Sequence, residues 1–166
     1  MYRARGWQTV GRVRTVASRQ SAVVREKRKR VARPIWNYIN NDKFAQSLGI
    51  ELLELREGYA KCAMTAKKSM ANFHGSTHGG AITTLADAAF AAACNSYGQR
   101  TVALAVTINF IEPVKPGARL IATAEEEAAS ARVGLYHLVV MDESGKVVAS
   151  SHATAYRKNE WFYKKG

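Results

Sequence analysis

Apolar and polar positions alternate along most of this chain beyond residue 50, and a period of two residues is typical of β-strands. The alternation predicts six strands, over residues 50–55, 59–66, 101–110, 119–128, 133–141 and 146–156. It is cleanest in the third strand, where one side is predicted to carry Val102, Leu104, Val106, Ile108 and Phe110. Glu57-Gly58 is a turn signal between the first two strands, which therefore form a hairpin.

Two stretches follow a helical period instead. After Pro34, apolar residues at helical spacing predict one or two short helices that end at Gly49: Ile35, Trp36, Ile39, Phe44 and Leu48. Residues 79–96 contain seven Ala, a single charge and no helix breaker after Gly80. This composition predicts a long buried helix, and its small side chains would let a sheet pack closely around it.

The order of elements, two strands, one long helix and four strands, is not the alternation of a parallel α/β fold. It predicts an α+β protein whose last four strands form an antiparallel meander. A curved antiparallel sheet around one central helix is the hotdog architecture. Because it leaves sheet edges and one helix face open, we expect a homo-oligomer, a dimer or a dimer of dimers.

The formal charge of +12 is concentrated at the N-terminus, because residues 1–34 carry eleven Lys and Arg but only one acid, Glu26. We expect a disordered basic tail at 1–33, one folded domain at 34–160 and a short C-terminal tail at 161–166. The basic tail is too short for a helix-turn-helix, so any contact with nucleic acid would be nonspecific. An upstream start codon and an Arg-rich transit peptide are the other interpretations.

Several classes of protein are disfavoured. Cys62 and Cys94 lie outside any Cys-x-x-Cys spacing, which argues against a disulfide framework or a zinc site and favours reduced cytoplasm. No segment is apolar for long enough to span a membrane, and no serine-hydrolase or dinucleotide-binding motif occurs. We expect neither a metal nor another cofactor.

The chemistry is concentrated around the start of the long helix, at Asn72, His78-Gly79-Gly80 and Asp87. This spacing resembles that of the PaaI-type acyl-CoA thioesterases of the hotdog superfamily, and the resemblance extends from about residue 48 to 156. It implies that Asn72, His78, Gly79 and Asp87 are catalytic and that Gly80 helps to bind the substrate.

The residue types suit thioester hydrolysis. Unpaired N–H groups at the helix N-terminus, at Gly79 and Gly80, would hold the oxyanion. Asp87, a lone carboxylate among apolar residues, would act as general base or as nucleophile. Its alternative is a structural Asp at a subunit seam. Asn72 would position water or the carbonyl, or else form an Asx-turn, and His78 would orient or cap the helix.

Gly79 and Asp87 are eight residues apart on one helix, which is about 12 Å. We therefore expect each active site to combine Asn72, His78 and Gly79 of one subunit with Asp87 of the other. The resemblance has one departure, because Ala91, Ala103, Leu104 and Ala105 occupy positions near the acid where some relatives have Ser or Thr. Phe73 disfavours the related hydratases, which have an Asp at that position.

The sequence thus predicts a hydrolase that converts acyl-CoA, aromatic such as phenylacetyl or of short to medium chain length, to free acid and coenzyme A. The alternative is a non-catalytic protein that binds or senses acyl-CoA and contacts nucleic acid through its basic tail.

Overall fold

A computed structural model describes residues 28–164 of the chain, with every element assigned within that range. In chain order the elements are α1 (Arg33–Ile39), α2 (Lys43–Leu48), β1 (Glu51–Arg56), β2 (Tyr59–Thr65), a 3₁₀ turn (Lys68–Met70), α3 (Gly79–Asn95), β3 (Gln99–Phe110), β4 (Arg119–Ala129), β5 (Val133–Asp142) and β6 (Val147–Trp161). The one or two predicted short helices are two, and the long helix and all six strands are present.

The six strands form one antiparallel sheet in the order β1-β2-β4-β5-β6-β3. The predicted hairpin of β1 and β2 is confirmed, and β4, β5 and β6 do form a meander. The prediction that β3 belongs to this meander is wrong, because β3 pairs with β6 at the far edge of the sheet. The position beside β4 is taken by β2, so the chain crosses the whole sheet through α3 before β3 begins.

Helix α3 lies along one face of this sheet and contacts all six strands. Its alanines allow that close approach, and Ala86, Ala89 and Ala93 are completely buried. Phe90 supplies the bulk between them, with its ring 5.2 Å from that of Tyr136 on β5 in an edge-to-face arrangement. The predicted α+β hotdog architecture is confirmed.

Strand β3 departs from the predicted alternation at one point. The register with β6 shifts between Ala103 and Ala105, which leaves Leu104 as the extra residue of a β-bulge. A bulge reverses the facing of the residues beyond it, so Val102 lies on the opposite face of the sheet from Val106. The prediction that all five apolar residues of β3 share one side is therefore wrong at its start.

Both predicted domain boundaries differ from the structure. Arg28, assigned to the basic tail, donates to the carbonyl oxygens of Glu57 and Glu126 at 3.2 and 2.7 Å. At the other end β6 continues to Trp161, beyond the predicted limit at 160, and the Phe162 N–H donates to the Gly98 oxygen. The folded domain thus includes residues 28–33 and 161–163, while the predicted disorder of residues 1–27 lies outside the described residues.

Replacing Arg28 tests the new boundary. Arg28→Ala removes two hydrogen bonds from a charged donor and an ion pair with Glu125, so we expect the free energy of unfolding to fall by about 2 kcal/mol. Arg30→Ala is the matched control, since Arg30 is exposed and pairs with Arg56 of β1 through the backbone, which the substitution leaves in place. Urea unfolding measures the free energy of unfolding of both variants. If the two variants were equally stable, residues 28–33 would belong to the tail and not to the folded domain.

Candidate active site

The start of α3 is built by a loop that places His78 as the helix cap. The His78 N–H donates to the Met70 oxygen at 2.7 Å, and Thr77 donates to the Val114 oxygen at 2.7 Å. These bonds fix the loop against the 3₁₀ turn and against the segment after β3. The His78 Nδ1 atom then accepts the Gly80 N–H at 2.8 Å, which satisfies one of the free donors at the helix N-terminus.

The two glycines consequently have different roles. The sequence predicts that Gly80 helps to bind the substrate through its N–H, but that donor is held by His78. Gly79 is the first helical residue, and its N–H makes no hydrogen bond to any of the described residues. A Cβ atom at Gly79 would lie 3.0 Å from the Phe110 ring, so only glycine fits there without moving that side chain. The free donor of the pair is the Gly79 N–H.

Asn72 lies in the loop before α3 and adopts the Asx-turn that the sequence left open. Its Oδ1 atom accepts the N–H groups of His74 at 2.9 Å and Ser76 at 3.2 Å. Its amide nitrogen donates to the Ser76 hydroxyl at 3.0 Å. An amide nitrogen carries two hydrogens, so Asn72 can still donate one more hydrogen bond after shaping the loop.

Asp87 lies on the open face of α3, where the sheet does not cover the helix. The residue is exposed in the single chain. The protein around the side chain still removes part of its hydration, which raises the pKa of this carboxyl above its ordinary value, and the Asp42 carboxylate before α2 raises it further. No Lys or Arg of the described segment forms an ion pair with Asp87.

Within one chain these residues form two separate groups. Asn72 lies in the loop that leads into α3 and is closed by the Ala71–Thr77 bridge, while His78 and Gly79 form the N-terminal end of the helix. Asp87 is eight residues further along the same helix, about 12 Å away, and so cannot reach a carbonyl group held by the Gly79 N–H.

Three residues near these groups were not singled out from the sequence as site residues. Phe110 covers Gly79 from the end of β3 while 54% of its surface stays exposed. Asp42 caps α2 through the N–H groups of Phe44 and Ala45 and acts electrostatically on Asp87. Thr77 is buried beside His78. Phe110 is more than 30 residues from Gly79 in the sequence, and Asp42 is more than 30 residues from Asp87. Only tertiary structure therefore brings Phe110 and Asp42 to the site.

The other candidate groups are structural. Burial raises the pKa of both thiols, Cys62 and Cys94, to about 12, so neither provides a nucleophile at neutral pH. His137 and His152 stack on each other on the sheet. Among residues 28–164 there is no group of three His, Cys, Asp or Glu that could hold a metal ion. In that same range no helix is long and apolar enough to cross a membrane.

The comparisons with known proteins agree with this architecture. The family model of the thioesterase superfamily matches residues 74–149, which include Gly79 and Asp87. The acyl-coenzyme A thioesterase PaaI of Escherichia coli is 40% identical over 117 residues, which are 70% of this chain and 84% of the relative.

Two solved structures extend the similarity to three dimensions. The E. coli PaaI protein superposes with a TM-score of 0.74 at 37% identity, over 76% of this chain and 95% of that one. A variant of the phenylacetic acid degradation protein PaaI from Thermus thermophilus superposes with a TM-score of 0.68 at 38% identity, over 70% and 100% of the two chains. These relatives favour the hydrolase over the non-catalytic binding protein. The chain belongs to the thioesterase superfamily and is a hotdog-fold thioester hydrolase of the PaaI type.

Proposed function

We propose that this protein hydrolyses acyl-CoA to a free acid and coenzyme A, in active sites that each take residues from two subunits. The observation that carries the proposal is the Gly79 N–H, a donor without a protein acceptor in the described part of the chain, at the positive end of a 17-residue helix. A thioester carbonyl placed there would accept this hydrogen bond. The negative charge that develops on its oxygen during attack would strengthen it.

Asp87 supplies the second half of the chemistry. As general base, its carboxylate takes a proton from water while the water oxygen bonds to the thioester carbon and the carbonyl electrons move to oxygen. When that oxyanion collapses, the carbon–sulfur bond breaks and the thiolate of coenzyme A recovers the proton. As nucleophile, Asp87 would itself bond to the carbon while the carbon–sulfur bond breaks and the thiolate of coenzyme A leaves. Water would then hydrolyse the resulting anhydride to the free acid and the Asp87 carboxylate, and the proton released from water would go to the thiolate. Both routes need the carboxylate form.

The free edge of β3 supports pairing of two subunits. Among the described strands β3 bonds only to β6, so its other edge offers a long row of backbone donors and acceptors. The strand also exposes large apolar side chains, with Leu104 59% and Phe110 54% accessible. A two-fold axis beside β3 would set two α3 helices antiparallel and bring each Asp87 opposite the partner's helix N-terminus.

Gly79→Pro is the direct test of the oxyanion donor. Proline removes the N–H, yet it suits the first position of a helix, and the extended backbone of His78 is the conformation that a following proline requires. We expect kcat for acyl-CoA hydrolysis to fall by about a hundredfold or more with α3 intact by circular dichroism.

Gly79→Ala is the matched control for that variant. Its Cβ meets the same Phe110 ring, but the N–H stays. The alanine variant should therefore keep most of the kcat that the proline variant loses. If both variants lose activity equally, the Phe110 contact and not the N–H is responsible, and the oxyanion assignment fails.

A further inference from the structure

The loop before α3 is closed by hydrogen bonds between its own backbone groups. Ala71 and Thr77 form an isolated bridge, and inside it the Asn72 N–H donates to the Ser76 oxygen at 2.8 Å. At the tip the Gly75 N–H donates to the Asn72 oxygen at 3.0 Å, and the φ of 80° at Gly75 is one that glycine adopts without strain. Asn72 and Ser76 therefore face each other across a tight loop that the backbone itself holds.

Ser76 also binds both polar atoms of the Asn72 side chain. Its N–H donates to Oδ1 at 3.2 Å, and its hydroxyl accepts a hydrogen bond from Nδ2 at 3.0 Å. The His74 N–H donates to the same Oδ1 atom at 2.9 Å. A flipped amide would place its NH₂ group against these two N–H donors and lose all three bonds. The Asn72 amide therefore has a single orientation in this loop.

These contacts determine which amide hydrogen of Asn72 stays free. Oδ1 and one hydrogen of Nδ2 lie on the same edge of the planar amide, and Ser76 binds both of them. The other hydrogen of Nδ2 makes no hydrogen bond within residues 28–164. Its direction follows from the plane of the amide, and the Ser76 hydroxyl is the acceptor that fixes this plane on the nitrogen side.

We propose that Ser76 is a positioning residue of the active site, which directs the free N–H of Asn72 toward the attacking water or the thioester carbonyl. The inference rests on the proposed function and on the participation of Asn72 in it. Because the loop backbone is held by other bonds, removing the Ser76 hydroxyl should release only the amide. A donor that turns away from the reacting atoms lowers the rate more than the affinity, since its hydrogen bond matters most in the transition state.

Ser76→Ala removes the hydroxyl and keeps the N–H that binds Oδ1. Activity is measured with acetyl-CoA, octanoyl-CoA and phenylacetyl-CoA, and we expect kcat to fall about tenfold while KM changes by less than about twofold. Ser76→Thr retains a hydroxyl and should restore most of kcat. Ser69→Ala is the matched control, since Ser69 is an exposed serine in the 3₁₀ turn before the loop, and its kcat should equal that of the wild type.

A double-variant cycle with Asn72→Ala separates positioning from a structural role. If Ser76 acts through Asn72, adding Ser76→Ala to Asn72→Ala lowers kcat no further. The same loss in both backgrounds would overturn the inference, because Ser76 would then act without Asn72. Wild-type kcat in either single variant, or loss of the folded state in Ser76→Ala by circular dichroism, would overturn it as well. All of these outcomes leave acyl-CoA hydrolysis by the wild type intact, whereas a wild type that hydrolyses none of the three thioesters would refute the proposed function itself.

Discussion

Asp87→Asn is expected to lower kcat for acyl-CoA hydrolysis by about a thousandfold or more and to leave the fold intact, because the amide can neither accept a proton nor attack carbon. Stopped-time assays with a thiol reagent for free coenzyme A measure the loss. A variant that keeps a tenth of the wild-type activity would remove Asp87 from the chemistry. Asp87 would then have the structural role of a carboxylate at a subunit seam.

Stability separates those two roles. The pKa of Asp87 is raised in the folded chain, so the folded state binds a proton more readily than the unfolded state does. Stability from this group is therefore present at low pH and falls as pH rises through the raised pKa. Asparagine does not ionise, so the variant avoids the loss of stability that ionised Asp87 causes. At neutral pH Asp87→Asn should therefore melt no lower than the wild type. A large drop in melting temperature would favour the structural role.

The pH profile carries a related expectation. Since the carboxylate is the active form, kcat/KM should decline on the acid side at a higher pH than an Asp with an ordinary pKa would give. Asp42→Asn is informative here, because asparagine still caps α2 but no longer repels the charge on Asp87. The acid limb should move to lower pH in that variant.

The strands and helices of this protein are largely determined by local pattern, and for that reason they could be predicted. Alternation located all six strands and the alanine content located α3. Strand order is a different kind of information, since β2 and β4 are joined by contacts between residues about sixty positions apart. Nothing in the local pattern of β3 states whether its neighbour is β4 or β6. The bulge at Leu104 is equally invisible to a period of two, because the sequence around it alternates without a break.

In the candidate site, too, the local features could be predicted and those that depend on tertiary structure could not. The Asn72, His78-Gly79-Gly80 and Asp87 spacing is local and could be read from the sequence, but the use of each N–H could not. Whether Gly80 or Gly79 has the free donor depends on the rotamer of His78, which accepts the Gly80 N–H. The exposure of Asp87 depends on which face of α3 the sheet leaves uncovered. The approach of Asp42 to Asp87 depends on how α2 packs, which no spacing in the sequence encodes.

Mixing two inactive variants should restore activity if each site is shared between subunits. One variant is Gly79→Pro, which lacks the oxyanion donor, and the other is Asp87→Asn, which lacks the base. Unfolded together in equal amounts and refolded, they pair at random, so about half of the dimers are mixed. In a mixed dimer one site has both defects and the other has neither. About a quarter of wild-type activity should therefore return.

The converse mixture gives an independent reading of the same geometry. Wild-type chains are refolded in equal amounts with the double variant Gly79→Pro, Asp87→Asn. If the two residues serve different sites, every site of a mixed dimer has one defect, and only wild-type dimers act, which again gives about a quarter of full activity. If both residues serve a site in their own chain, about half of the activity remains, and the first mixture stays inactive. Mass spectrometry of the intact dimers, with one variant isotopically labelled, establishes in each case that mixed dimers have formed. Recovery in the first mixture together with a quarter in the second requires Gly79 and Asp87 to meet across the subunit boundary. The distance along α3 leads to the same conclusion, because one thioester cannot contact Gly79 and Asp87 of the same chain.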